Sequence, residues 1–307
     1  MSGLITRTIC TLALLASPVL ACAQVGASGF ALLKIGSSAQ GAAMGDAMTA
    51  VVSGASSTTY NPAGLAPRGE TATSQIQFTH REWVADTRIE YLMAAVNLDG
   101  SSSLGFSLYS AATSDIEIRT RPGSPEGTFT ARSFHVGASY ARTMGTDLAV
   151  GASIHYLYEK LLIDDAAGFS VDAGARWQSP LAGLSAGAAL VNVGSMEAMR
   201  KERTTLPATA LAGAAYEAQI ASVSGTATLA GDLGYRFAEE RVFGRLGGEM
   251  FFDHVLAVRA GYQLGSAARG WSAGLGIRYS IVLLDYAFAP LSEDLGNTHT
   301  LTLGVTF

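Results

Sequence analysis

The side chains best suited to moving a proton near neutral pH are five histidines, His80, His135, His155, His254 and His299. No two of them have the spacing of a metal-ligating pair. The two cysteines, Cys10 and Cys22, both lie in an apolar leader. A mature chain without that leader has no disulfide, zinc site or thiol nucleophile. The glycines from Gly36 to Gly45 lack the Lys-Ser/Thr ending of a phosphate loop. No catalytic residue, metal site or cofactor is assigned from these residues. The charged residues Asp232, Arg245, Glu249, Arg259, Arg278 and Asp285 are more informative, because of the elements that carry them.

Those elements read as strands. From Thr146 to Tyr158 the even positions are largely apolar, with Leu148, Val150, Ile154 and Tyr156 among them. The odd positions include Asp147, Gly151, Ser153 and His155. The same alternation runs through Phe134–Tyr140 and Trp271–Tyr279. Successive strand side chains point to opposite faces, so each segment has one apolar and one small or polar face. The chain is 49% hydrophobic. Beyond the leader, however, no apolar run approaches the ~18 residues of a membrane helix. Hydrophobicity dispersed in this way fits alternating strands of a transmembrane antiparallel β-barrel, an all-β fold.

Turn signals divide the chain into about fourteen strands. They fall at 71–80, 87–98, 102–115, 128–142, 146–159, 168–178, 183–193, 207–217, 222–236, 241–251, 254–265, 270–279, 280–289 and 298–307. Short connections such as Leu98-Asp99-Gly100 and Met144-Gly145 are expected on the periplasmic side. The longer 116–127, 160–167 and 194–206 are expected outside. Trp83, Trp177 and Trp271 fall near strand ends, where an aromatic girdle sits.

Parity then places the six charged residues, and His135 and His155, in the lumen. A charge facing lipid at mid-depth costs about 2–4 kcal/mol, which favours that orientation. The charged set reads as an ion-pair ladder that stiffens the wall or holds a plug. The alternative is a polar patch for a ligand headgroup, such as a carboxylate on Arg259 or Arg278.

The ends differ from the middle. Residues 1–23 carry Arg7, an apolar stretch from Thr11 to Leu20 and a small-x-small site at Ala21-Cys22-Ala23, the pattern of a signal peptide. Loss of Arg7 leaves 19 basic against 25 acidic residues, a net charge of −6, and nothing suggests nucleic-acid binding. The final residues alternate as Leu301, Leu303, Val305 and Phe307. They resemble the signal by which outer-membrane barrels engage their assembly machinery, with Phe307 as its aromatic end. Residues 24–69 are rich in Gly, Ala and Ser and do not alternate, but Ala43, Met44, Met48, Val51 and Val52 imply packing. A fourteen-stranded barrel is too wide for wall side chains to fill, so this segment is expected to be a plug, followed by the barrel over 70–307.

Within 29–66, Leu33-Lys34-Ile35-Gly36, Gly41-Ala42-Ala43-Met44-Gly45-Asp46-Ala47, Ala55-Ser56-Ser57 and Tyr60-Asn61-Pro62-Ala63-Gly64-Leu65 occur in order. With Leu284-Asp285-Tyr286-Ala287-Phe288 and Leu295-Gly296-Asn297-Thr298-His299, they resemble the PorV/PorQ family of FadL-like outer-membrane barrels. The resemblance implies a hatch built around Gly41, Gly45, Asn61, Pro62, Ala63 and Gly64. It also implies a non-enzymatic protein embedded in outer-membrane lipid. Its first implied function is assistance to type IX-like secretion, with cargo proteins or secretion-system subunits as partners. The alternative is a FadL-like channel for hydrophobic ligands such as fatty acids.

Overall fold

A computed structural model describes residues 28–67, 73–199, 202–266 and 268–307. The signal-peptide reading of 1–23 lies outside the described residues. Alternating sequence becomes alternating exposure along the strands. Along 148–158, Ala149, Ser153, His155 and Leu157 are buried, while Leu148, Ile154 and Tyr156 are exposed.

Among the described residues there are fifteen strands. They are β1 (Gln75–Glu82), β2 (Thr87–Asn97), β3 (Ser102–Ile118), β4 (Gly127–Met144), β5 (Leu148–Leu161), β6 (Asp164–Gln178), β7 (Leu184–Met199), β8 (Glu202–Thr205), β9 (Thr209–Ile220), β10 (Gly225–Arg236), β11 (Arg241–Phe252), β12 (Leu256–Leu264), β13 (Trp271–Tyr279), β14 (Val282–Pro290) and β15 (Asn297–Thr306). Every ladder is antiparallel, β1 pairs with β15, and β6 pairs with β7, so the sheet closes on itself. The short β8 pairs with β7 alone, which leaves fourteen strands in the ring.

Each of the fourteen segments expected from sequence overlaps one ring strand, but several ends move. The expected loop 160–167 shrinks to Leu162-Ile163, because β5 and β6 stay paired to Leu161↔Asp164. The expected loop 194–206 is largely strand, formed by the end of β7 and by β8. The break between the thirteenth and fourteenth strands is the Ser280-Ile281 turn, with Ser280 at φ 54°.

The outer wall is apolar. Phe106, Ile154, Phe169, Leu229, Leu246 and Leu275 are each at least half exposed. In water this band would be a large unfavourable patch. Against hydrocarbon it is the lipid face of a spanning barrel. Trp177 and Trp271 face outward as a girdle requires. Trp83 does not: it packs against the core inside, with the Arg269 guanidinium 5.8 Å from its ring centroid.

The core is the lumen, and residues 28–67 fill it with short helical turns. The Ala39–Ala43 helix starts where the Ser38 hydroxyl accepts the Gly41 N–H at 3.1 Å. It ends at Gly45, whose φ of +63° turns the chain away. This helix packs on β12 to β15, the Gly54–Ser56 turn on β1 and β2, and the Pro62–Leu65 turn on β4 to β6. Met44, Met48 and Val52 are about 1% exposed and pack with Ala215 and Ala230 of the wall. The wall is Gly-rich on its inner face because plug backbone rests on it. A Cβ at Gly261 would lie 2.1 Å from the Gly45 nitrogen.

Candidate functional site: the plug anchors and the outer cavity

Asn61 and Pro62 seat the plug against β5 and β6. The Asn61 side chain caps the Pro62–Leu65 turn, its Oδ1 accepting the Ala63 N–H at 3.1 Å. Its Nδ2 donates to the Thr49 carbonyl at 2.8 Å and to the Ala175 carbonyl of β6 at 3.2 Å. The Pro62 carbonyl lies over Gly151, and Ala63 is fully buried. Gly41 and Gly64 lie against plug atoms, at the Tyr60 hydroxyl and the Val52 carbonyl. Phe307 is outward and 66% exposed, and its backbone exchanges hydrogen bonds with Ser74 before β1.

The six lumen charges divide into separate roles. Arg259 is the hub of a buried cluster, with Nε 2.5 Å from Glu249 Oε2 and Nη1 2.5 Å from Asp285 Oδ1. Asp232 leaves the ladder and holds the plug instead. Its Oδ2 accepts the Met48 N–H at 3.0 Å, the Thr49 N–H at 3.0 Å and the Thr49 hydroxyl at 2.7 Å. Arg245 donates to the Asp46 carbonyl at 3.2 Å and lies over the Phe243 ring. Arg278 lies over the Phe251 ring near the β13–β14 turn. An Arg259 committed to two carboxylates does not offer a headgroup site.

Asp46 is a second node. It accepts from the Tyr60 hydroxyl at 2.9 Å, from Arg269 Nη1 at 2.9 Å and from Gln263 Nε2 at 3.1 Å. Burial alone would raise this carboxyl, but Arg269, Arg245 and Arg81 outweigh burial and hold its pKa at about 2. Glu239, in the β10–β11 connection, binds the Lys34 ammonium of the plug and Arg236.

Between these anchors lies a narrow cavity of about 60 Å³. Leu33, Ile35 and Tyr60 of the plug face Tyr91, His135, His155, Asp172, Val191, Leu211, Phe243 and Arg245 of the wall across it. His155 Nε2 is 2.9 Å from Asp172 Oδ2, and Asp172 Oδ1 accepts the Asn192 N–H at 2.7 Å. The Tyr109 ring stacks on His135 at 4.9 Å. A second, more polar cavity of about 340 Å³ lies on the other side of the plug, beside Gln40, Gln77, Arg278 and the β13–β14 turn.

Sequence parity put His135 and His155 in the lumen, and both are buried there. It missed Asp172, although the register Ser153↔Asp172 places this residue on the same inner face. It also missed Arg269, Lys34 and Glu239, which sit outside the regular strands and so carry no alternation signal. Two pentapeptides, Gly183–Gly187 and Gly270–Gly274, have Gly-x-Ser-x-Gly spacing. Ser185 and Ser272 both lie within strands, whereas a nucleophile elbow needs a strand-to-helix turn. Ser272 donates to the Ala43 carbonyl of the plug at 3.0 Å.

No protein-family model and no curated protein matches the chain. Solved structures do. The toluene transporter TbuX of Ralstonia pickettii aligns with 88% of this chain and 97% of its own, at 13% identity and TM-score 0.59. The monoaromatic hydrocarbon channel CymD aligns with 88% of this chain and 96% of its own, at 12% identity and TM-score 0.60. A FadL homologue of Pseudomonas aeruginosa covers 88% and 98%, at 10% identity and TM-score 0.53. The fold is that of the FadL-type outer-membrane barrels. The chain is thus built as a multi-pass outer-membrane β-barrel, similar in fold to one protein described as a toluene transporter and another described as a monoaromatic hydrocarbon channel. The comparisons bring the FadL-like part of the sequence resemblance into view and offer nothing specific to its PorV/PorQ branch.

Proposed function

We propose that this barrel is a channel that passes hydrophobic small molecules across the outer membrane. The observation that carries the reading is the pair of cavities on opposite sides of the plug. The outer one is lined by aromatic and aliphatic side chains with a few convergent polar groups, the usual make-up of a small-molecule site. Wall contacts to the plug include hydrogen bonds from Met48 and Thr49 to Asp232 and the Arg269–Asp46 ion pair, non-covalent contacts whose rearrangement would join the two cavities. The fold likeness to a toluene transporter and a monoaromatic hydrocarbon channel supports the same class of cargo.

The type IX secretion reading draws no such support. Outer connections such as 162–163 and 237–240 are compact, the eight-residue 119–126 being longer, and the short ones present little surface to a protein cargo.

Purified barrel reconstituted into liposomes tests the channel. Toluene or a short fatty acid trapped outside should equilibrate faster into barrel-containing vesicles than into empty ones. Equal rates in the two vesicle populations would remove the channel reading. Recovery of a stoichiometric secreted protein with the intact barrel would favour secretion.

A further inference from the structure

We propose that the outer cavity is a binding site for a small hydroxylated aromatic molecule, a phenol-type ring, recognised by His135 and the His155–Asp172 pair. This rests on the channel reading above and names the class of molecule the channel prefers.

The argument begins with protons. Asp172 is 5% exposed, and its Oδ1 accepts the Asn192 N–H. That N–H is aimed at the carboxylate by a bulge between β6 and β7, where Asn192 sits at φ 60°. The other oxygen, Oδ2, faces His155 Nε2. A carboxylate accepts, so Nε2 carries the proton. A neutral His155 then presents Nδ1 as an acceptor, and Nδ1 is buried without a protein partner. His135 is 4% exposed, and neither of its ring nitrogens has a protein partner. As a neutral ring it presents one donor and one acceptor. Tyr109 stacks on one face of His135 at an interplanar angle of 21° and fixes the plane of the ring.

The two imidazoles therefore leave one donor and two acceptors unmet, with His155 Nδ1 over Gly137 beside the unpartnered Ser107 hydroxyl. Buried polar groups in folded proteins are paired with protein, water or ligand. A hydroxyl donates one hydrogen bond and accepts another, which meets the His135 donor and one of the two acceptors. A carboxylate only accepts, and it would bring a second negative charge beside Asp172. The cations lining the cavity are engaged elsewhere: Lys34 and Arg236 both bind Glu239, and Arg245 donates to the Asp46 carbonyl and lies over the Phe243 ring. A hydrocarbon would contact Tyr91, Leu211 and Phe243 but leave His155 Nδ1 and both His135 nitrogens unmet. Sites built to bond a substrate hydroxyl discriminate strongly against the analogue lacking it. The small cavity excludes an acyl chain.

The test compares phenol, toluene and benzoate by titration calorimetry on the full barrel in detergent micelles. A heat-dependent gel shift checks that each sample is a closed barrel. The expected result is a Kd for phenol at least about tenfold below that for toluene, the size of one discriminated hydrogen bond, with benzoate weaker than phenol. His135→Phe keeps a flat ring against Tyr109 and removes both of its nitrogens, so it should narrow the phenol advantage over toluene, with His155 Nδ1 left as the remaining acceptor. Toluene binding as tightly as phenol, benzoate binding tightest, or water alone occupying the site would each overturn the proposal. So would a phenol advantage that is undiminished in His135→Phe. The wild-type comparison needs no variant, so a misfolded variant leaves it intact. Toluene permeation in liposomes without a phenol preference sinks this assignment and keeps the channel. No permeation of any aromatic sinks the channel itself.

Discussion

Arg269, in the connection between β12 and β13, places Nη1 2.9 Å from Asp46 Oδ2, and this contact ties the outer rim of the barrel to the plug. The Asp46 side chain is 1% exposed and the Arg269 side chain 14%. A buried pair of this kind is costly to break from one side, because the remaining charge is left without compensation.

The first prediction follows from that contact and concerns pH. The Asp46 carboxyl is depressed from 3.8 to about 2, and Glu239 beside Lys34 is also lowered. A group whose folded pKa is depressed contributes stability above its unfolded value and loses it as pH falls through the folded one. Plug retention should therefore be steady at neutral pH and weaken between about pH 4 and pH 2. In Asp46→Asn that part of the acid dependence should be missing. Protease accessibility of the plug against pH measures this. An unchanged acid profile in Asp46→Asn would show that Asp46 is not the latch.

Asp232 gives a second prediction. Its carboxylate satisfies two buried plug N–H groups and one hydroxyl. Asp232→Ala should leave those donors unmet at about 1–3 kcal/mol each where water does not replace the carboxylate. Hydrogen exchange at Met48 and Thr49 should speed up markedly, while exchange in the barrel ladders stays slow. Uniform acceleration through the wall would mean that Asp232 supports the barrel and not the plug.

The third prediction concerns Arg259. With Glu249 and Asp285 both 2.5 Å away, Arg259→Ala leaves two carboxylates facing each other in the lumen. Destabilisation of about 3–5 kcal/mol is expected from losing one partner of a buried charge cluster. The effect should appear in denaturant unfolding and not in ligand affinity. A variant of wild-type stability that has lost ligand binding would return Arg259 to the role of headgroup anchor.

A fourth prediction uses the two faces of the wall. Ile277→Arg and Leu275→Arg put charge on the lipid face, and each should cost about 2–4 kcal/mol near mid-membrane. Thr228→Arg puts the same charge inside, directly across from Glu249, and should cost far less. Assembly yield and unfolding in lipid compare the two. Similar losses at both faces would contradict the assignment of inside and outside.

Much of the barrel was legible in the chain. Strand period is a local property, so Leu148 to Tyr158 reveal their two faces without any partner. The cost of lipid-facing charge let parity alone assign Asp232, Arg259 and Asp285 to the inside. The break between 279 and 280 was legible, but the two-residue Ser280-Ile281 turn that makes it was assigned to the following strand. What alternation does not carry is depth and register between distant strands. Only closure of the ring decided that Arg259 meets Glu249 and Asp285 while Arg278 lies over the Phe251 ring. Only a bulge in β7, invisible to a period of two, aims the Asn192 N–H at Asp172. The plug was the least legible part. Its helical turns are too short to have a period, and their positions are fixed by contacts from the wall, such as Asp232 to Thr49 and Arg269 to Asp46. The sequence by itself thus determined a barrel with a known inside and outside. The tertiary structure decided which lumen groups hold the plug and which remain facing the cavity, because those pairings depend on strands that are far apart in the chain and adjacent only once the sheet has closed.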